Sequence, residues 1–478
     1  MITTNIRTRE DLLDALSVAA ELEHLLLCQY LFAAYTLKRS PDEGLDPVQL
    51  SKAREWGSSV TLVARQEMEH LGLVMNMRSV IGGEPYFKRP NFPQKLDYFG
   101  RSDLKQTLTP LDHDTVARFR FFEQPHPAPA PDYCQAPRSA SDTHRAARLR
   151  AIHAVERDHG YFPEPELLAH ATARHRKGAL GAVSFTSIQD LYLQLWLGFF
   201  VVAAELGEKA LFNGDPNRQI WGGPGSPYAG SMNDLNQYGV DIVGVTNLAS
   251  MSFAVFEILF QGEGLFAPKS YVEHTHYCLF SSILTEMEAR PGLVACRPVV
   301  RNPLTRMHPD ITAPGEVNLI ERPETLELAV LTNGLYELML YMLLVLYGAE
   351  NLTPEQRVAL TDAAFFPLMT MFIRPLAEIL TQLPAFETRP GNAGPGFELS
   401  QRELRLGAAK LDPIGFIQQR LDAALTEFDA LAILKMRDRY PAIVDRLNYI
   451  RENLGRLATD WRKGFTNVGR TEDEGTSS

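Results

Sequence analysis

The sequence predicts a mainly α fold: a four-helix bundle with a long insertion between its helix pairs and extra C-terminal helices. Three observations carry this. Apolar residues recur with helical periodicity over long segments, strand-like alternation is weak throughout, and no repeat of fixed period is present. Of the 478 residues, 45% are apolar and 22% charged, ordinary globular composition with material for a large core.

Taken in order, "TREDLLDALSVAAELEHLLLCQYLFAAYTLK" opens with Thr8 as a candidate N-cap and acidic residues in its first turn, and runs helically to about Lys38. "SPDEGLDP" breaks it. A second helix spans about Ser51 to Ile81 and stops at Gly82-Gly83, so the two form an αα-hairpin. Residues 84–182 form a loop-rich insertion. Within it, "LTPLDHDTVARFRFFEQP" is a short helix or strand, and 125–147 is Pro/Ala-rich and polar. Helical patterning returns at 187–212, 246–264, 270–289, 323–348 and 354–383. Residues 386–399 read as a linker between a bundle domain (1–385) and an amphipathic C-terminal extension (400–478) with a frayed tail.

The formal net charge of −11 without a basic run argues against a nucleic-acid partner. Four cysteines lacking any C-x-x-C pair read as reduced thiols, with Cys28 buried and inert. The N-terminus has no apolar core of a signal peptide. The densest apolar stretch, 335–348, carries Glu337 and is too short for a bilayer. A soluble cytoplasmic protein without a membrane partner is the expectation, and a homo-oligomer stays open.

Carboxylates on apolar helix stripes mark the chemistry. Glu23 shares a face with Leu16, Ala19, Ala20, Leu27 and Tyr30, while Glu67 shares one with Val60, Ala64, Leu71 and Val74. His70 stands beside Glu67, whereas Glu69 falls with Gln66 and Asn76 on what reads as a solvated face. Glu263 ends the 246–264 helix, with Glu257 as its alternative. Glu273 and His276 form a second Glu-x-x-His.

The order Glu, Glu-x-x-His, Glu, Glu-x-x-His is the ligand set of two-metal carboxylate bundles. Two hard ions about 3.5–4 Å apart need bridging carboxylates to screen their repulsion. Glu23 lies 15 residues before Lys38, and Glu67 lies 15 after Lys52, so an antiparallel hairpin brings both to one level. Glu23, Glu67, His70, Glu263, Glu273 and His276 are therefore the expected metal ligands, with Glu67, His70, Glu273 and His276 at the reacting centre. His24, about 100° around the helix from Glu23, is a supporting or alternative ligand. Tyr30 and Tyr277 are core aromatics or hydrogen-bond donors to the ligands.

The stretches "LEHLLLCQYLFAAYTLK", "VARQEMEHLGLVMNMRSVIGGEPYFKRPNFP", "SIQDLYLQLW…LFNGDPNRQ", "LASMSFAVFEILFQGEG" and "EHTHYCLFSSI" occur in this order. Over roughly residues 9–385 the chain resembles the ferritin-like family of the iminophenyl-pyruvate dimer synthase type, known from violacein and rebeccamycin-type pathways. The resemblance implies oxidative coupling of imines of aromatic 2-oxo acids. Residues and resemblance together lead to the expectation of a non-haem di-iron oxidoreductase of secondary metabolism, with two irons or manganese. Its partners would be a small aromatic or amino-acid-derived substrate and dioxygen or peroxide. An inactive ferritin-like interaction module and an iron store are the alternatives.

Overall fold

The computed structural model describes residues 4–95, 104–126, 128–129, 133–134, 185–222, 226, 240–264, 272–349, 352–400 and 412–466. Helix α1 (Arg9–Tyr35) starts at Thr8, whose side chain accepts from the Asp11 amide while Asp11 reaches back to Thr8, a reciprocal capping box. Helix α2 (Pro47–Val80) begins four residues earlier than its periodicity suggests. The Asp46 side chain accepts from the Val48 and Gln49 amides, and Pro47 fits the first turn, where its missing N–H costs nothing.

Helices α1 and α2 pack along their length. A short helix α3 (His113–Phe122) lies on α6 (His276–Glu288), and α4 (Ile188–Leu206) packs on α1 and on α5 (Leu248–Gln261). The segment read as one helix over 270–289 is interrupted: a 3₁₀ turn spans Val272–His274, and Thr275 then caps α6 by accepting from the Cys278 amide. Helix α7 (Pro323–Gly348) adjoins α8 (Pro354–Ala363), a π-helical run Ala364–Ile373 that continues as Arg374–Leu380, and α9 (Pro413–Ala430). Helix α10 (Pro441–Thr466) packs on α9.

Three features correct the sequence reading. The run Arg9–Tyr35, the 26-residue Pro323–Gly348 and Pro354–Leu380 are each long and apolar enough to cross a membrane, by length and composition. In the first two, 83% of the apolar window is buried inside the protein, so this apolarity serves the core. Residues 386–399 are no loose linker. Phe386, Ala393, Phe397 and Leu399 are buried, the Asn392 amide donates to Pro298 O and the Leu399 amide to Asn91 Oδ1. Finally, Cys134 and Cys278 form a disulfide, leaving Cys28 and Cys296 free.

The face of α2 read as solvated is covered. Asn76 donates to Ile220 O (2.6 Å) and Val243 O (2.8 Å) and accepts from the Ile220 amide, which pins the loop after α4 against the helix. Gly214 holds the same loop at the end of α2 through its amide to Val80 O, and a Cβ there would stand 2.0 Å from Ser79 O. Backbone cannot yield as a side chain does. Gly214→Ala should cost about 1–3 kcal/mol, and an unchanged denaturation midpoint would refute this packing.

Candidate metal centre

The bundle brings acids from distant parts of the chain to one buried level. Glu23 comes from α1, Glu67 and His70 from one turn of α2, Glu123 from the residue that ends α3, and His276 from the first position of α6. All five are at most 2% exposed, which rules out a solvated ion-pair cluster. Their ligating atoms form two groups, Glu23–Glu67–His70 and Glu67–Glu123–His276, each with every atom within 4.8 Å of the others. Glu67 belongs to both.

The imidazoles are oriented from behind. His70 Nε2 lies 2.9 Å from Gln261 Oε1 and His276 Nε2 lies 3.1 Å from Gln66 Oε1. With each Nε2 held on a glutamine oxygen, each Nδ1 is turned toward the carboxylates. His70 Nδ1 is 2.8 Å from Glu67 Oε2. His276 Nδ1 is 3.0 Å from Glu67 Oε1 and 3.5 Å from Glu123 Oε2, yet neither it nor Glu67 Oε1 makes a hydrogen bond. Tyr192 donates to Glu23 Oε1 and Tyr30 to Glu123 Oε1, fixing the outer carboxylates.

Burial pushes Glu23 well above the usual carboxylate range, and the Glu67 charge adds to it. Burial, then the neighbouring Glu123 charge, raises Glu67 and, strongly, Glu263. At His70 desolvation wins, and its imidazole falls to about 4. At His276 burial opposes the charge, but Glu67 and Glu123 overcome it and hold the ring up at about 10. Glu123 is likewise held below its ordinary value, against burial, by His276. Acids crowded this closely without water are costly unless a cation joins them.

The sequence-derived set fares unevenly. Glu23, Glu67, His70 and His276 converge. Glu263 follows the end of α5, fully buried with both carboxylate oxygens lacking a hydrogen-bond partner, but it stands outside the two ligand groups. Glu257 accepts at 3.3 Å from the Asp241 amide instead. The backbone of Glu273 lies in the 3₁₀ turn, and its side chain falls outside the described residues. Glu69 is buried, not solvated, because loops and α6 cover that side of α2. His24 turns away to share a short hydrogen bond with Tyr336. Tyr30 proves to be both core aromatic and donor.

Glu123 was not anticipated. The stripe test that found Glu23 would have reached it: Val116, Phe119 and Glu123 recur at helical spacing, but α3 has only ten residues.

Paired helices enclosing two carboxylate–imidazole groups that share one glutamate define a ferritin-like protein, and a ferritin-like family model matches residues 16–285. The chain belongs to the ferritin-like family. Among curated proteins it is similar to dichlorochromopyrrolate synthase of Lentzea aerocolonigenes, at 27% identity over 84% of this chain and 37% of that one. It is also similar to 2-imino-3-(indol-3-yl)propanoate dimerase of Chromobacterium violaceum, at 25% identity over 80% of this chain and 33% of the other. The chain thus spans about a third of the length of these relatives. A solved ferritin-like protein from Caulobacter vibrioides is 16% identical, with a TM-score of 0.46, over 82% of this chain and 98% of that one.

Proposed function

We propose that the chain is a metal-dependent oxidative enzyme acting on a small aromatic or amino-acid-derived molecule. The observation that carries this is the sharing of Glu67 between two buried ligand groups, with Glu67 Oε1 and the facing His276 Nδ1 lacking hydrogen bonds. Glu23, Glu67 and His70 would hold one divalent ion and Glu67, Glu123 and His276 a second, iron by preference and manganese as the alternative. Such a pair supplies electron exchange with dioxygen or peroxide.

The chain's own residues perform the rest. Gln261 and Gln66 hold the two imidazoles with Nδ1 toward the carboxylates. Tyr192 and Tyr30 stop the outer carboxylates from rotating away. Glu263, fully buried and without a hydrogen-bond partner, is available to take or return a proton beside the centre. The apolar bundle around them excludes water. The relatives named as a synthase and an imine dimerase support a biosynthetic small-molecule substrate.

Anaerobic titration with ferrous iron tests this. Two irons per chain, with an absorption spectrum that changes when peroxide is added, are expected. No bound iron would make the bundle an inactive module, and loading far beyond two would make it an iron store.

A further inference from the structure

Outside the acidic centre, the αα-hairpin carries a second concentration of charge, of opposite sign. A cleft of about 690 Å³ opens between the segment that follows α1, residues 53–65 of α2 and Arg374. Lys38, Arg39, Arg54, Arg65 and Arg374 line it, and among the described residues no acidic side chain does. In a chain of net charge −11, five cations around one cleft reverse the local field. No basic run in the sequence announces them, because folding assembles the cleft from three separate stretches.

Helical spacing builds the α2 wall. Arg54, Gly57, Ser58, Thr61 and Arg65 follow one another along a single face. At 100° per residue, Ser58 and Arg65 stand about 180° and 200° around α2 from Glu67, so this face is turned away from the acids. Gly57 weakens the helix interior but keeps room between the helices: a Cβ there would stand 3.1 Å from Leu37 Cδ1.

The cations lack matching anions. Glu378 is shared by three guanidiniums, those of Arg39 at 3.1 Å, Arg374 at 3.0 Å and Arg446 at 3.6 Å. Lys38 and Arg54 pair with no carboxylate among the described residues. Arg54 instead donates to Arg39 O at 3.2 Å, tying α2 to the end of α1. Arg39 Nε is buried without a hydrogen-bond partner. Burial holds Arg39 below its ordinary value; Glu378 opposes this, and the Arg374 and Arg297 charges reinforce it.

Guanidiniums present planar forks that match phosphate oxygens two at a time, and Ser58 and Thr61 add hydroxyl donors. Phosphate alone fills little of a cleft whose size suits whole organic ligands. Leu37, Ala53 and the exposed Leu62 supply apolar wall for the remainder.

We infer that this cleft binds an organic diphosphate of nucleotide size, with its phosphates on Lys38, Arg39 and Arg54 and its body against Leu37 and Leu62. The orphaned Arg39 N–H gains an acceptor, and the repulsion among the cations is relieved. The site goes beyond the oxidative reading and does not need bound metal.

The probe is adenosine diphosphate, titrated calorimetrically into the full chain at low salt without added metal. One saturable site is expected, weakening as salt rises. Adenosine diphosphate should bind about tenfold tighter than pyrophosphate, through its body, and adenosine should not bind measurably. Lys38→Gln and Arg54→Gln each remove a cation without stranding a carboxylate. Each should weaken both diphosphates about tenfold and leave the cooperative melt unchanged. Chelator-treated protein should give the same constants, so failure of the metal reading leaves this one standing. No saturable binding, adenosine or pyrophosphate binding as tightly as adenosine diphosphate, or unaltered affinity in both variants would overturn it.

Discussion

Under the two-ion reading proposed above, Glu67→Ala is expected to remove both ions. Because Glu67 contributes to both ligand groups, its loss leaves each with one carboxylate and one imidazole. Two donors are too few to displace the hydration of a hard divalent ion. Bound metal, measured by elemental analysis after desalting, should fall from two per chain to none. Glu123→Ala should stop at one, because Glu23, Glu67 and His70 remain intact. Glu69→Gln should retain two, since Glu69 is buried outside both groups. Cooperative melting of the metal-free proteins separates ligand loss from misfolding: a variant that still unfolds in one cooperative transition has lost ligands, not its fold. Glu67→Ala protein that still binds two ions would refute the shared-ligand arrangement.

The next largest effect belongs to the Cys134–Cys278 bond, which joins residues 144 apart. Cross-links over long loops restrict the unfolded chain most, and Cys278→Ser should cost about 2–5 kcal/mol. The loss should also be local. Cys278 is two residues from His276, and the neighbouring Tyr133 donates to Glu263 O at 3.2 Å, so the bond ties together the chain segments that carry Glu123, Glu263 and His276. Cys278→Ser is therefore expected to weaken the second ion more than the first. Thiol titration of unfolded, unreduced protein should find two free cysteines. Four free thiols, or melting unaffected by reductant, would remove the bond from the account.

Much of the buried cluster was legible where its residues sit on long uninterrupted helices. Glu23, Glu67 and His70 lie on runs of 27 and 34 residues, long enough for the apolar stripe to point at them. His276 was found from its spacing to Glu273, although a helix start, not mid-helix periodicity, positions it. Glu123 was hidden because α3 is short and lies within an irregular insertion. The readings of Glu69, Gln66 and Asn76 failed for one reason: periodicity assumes that a polar helix face meets water. Here loop backbone meets Asn76, and His276 meets Gln66. The disulfide was illegible because cysteines 144 residues apart carry no local signal.

The division of ligands along the chain also sets a timetable. One group, Glu23, Glu67 and His70, is complete within the first αα-hairpin, whereas the other waits for His276, 209 residues after Glu67. At about 5–20 residues per second of synthesis, that is a delay on the order of 10–40 seconds. A nascent chain thus presents the first of the two groups well before the second exists. Under the two-ion reading, assembly of the pair would be sequential by construction, with Glu67 committed first and shared afterwards.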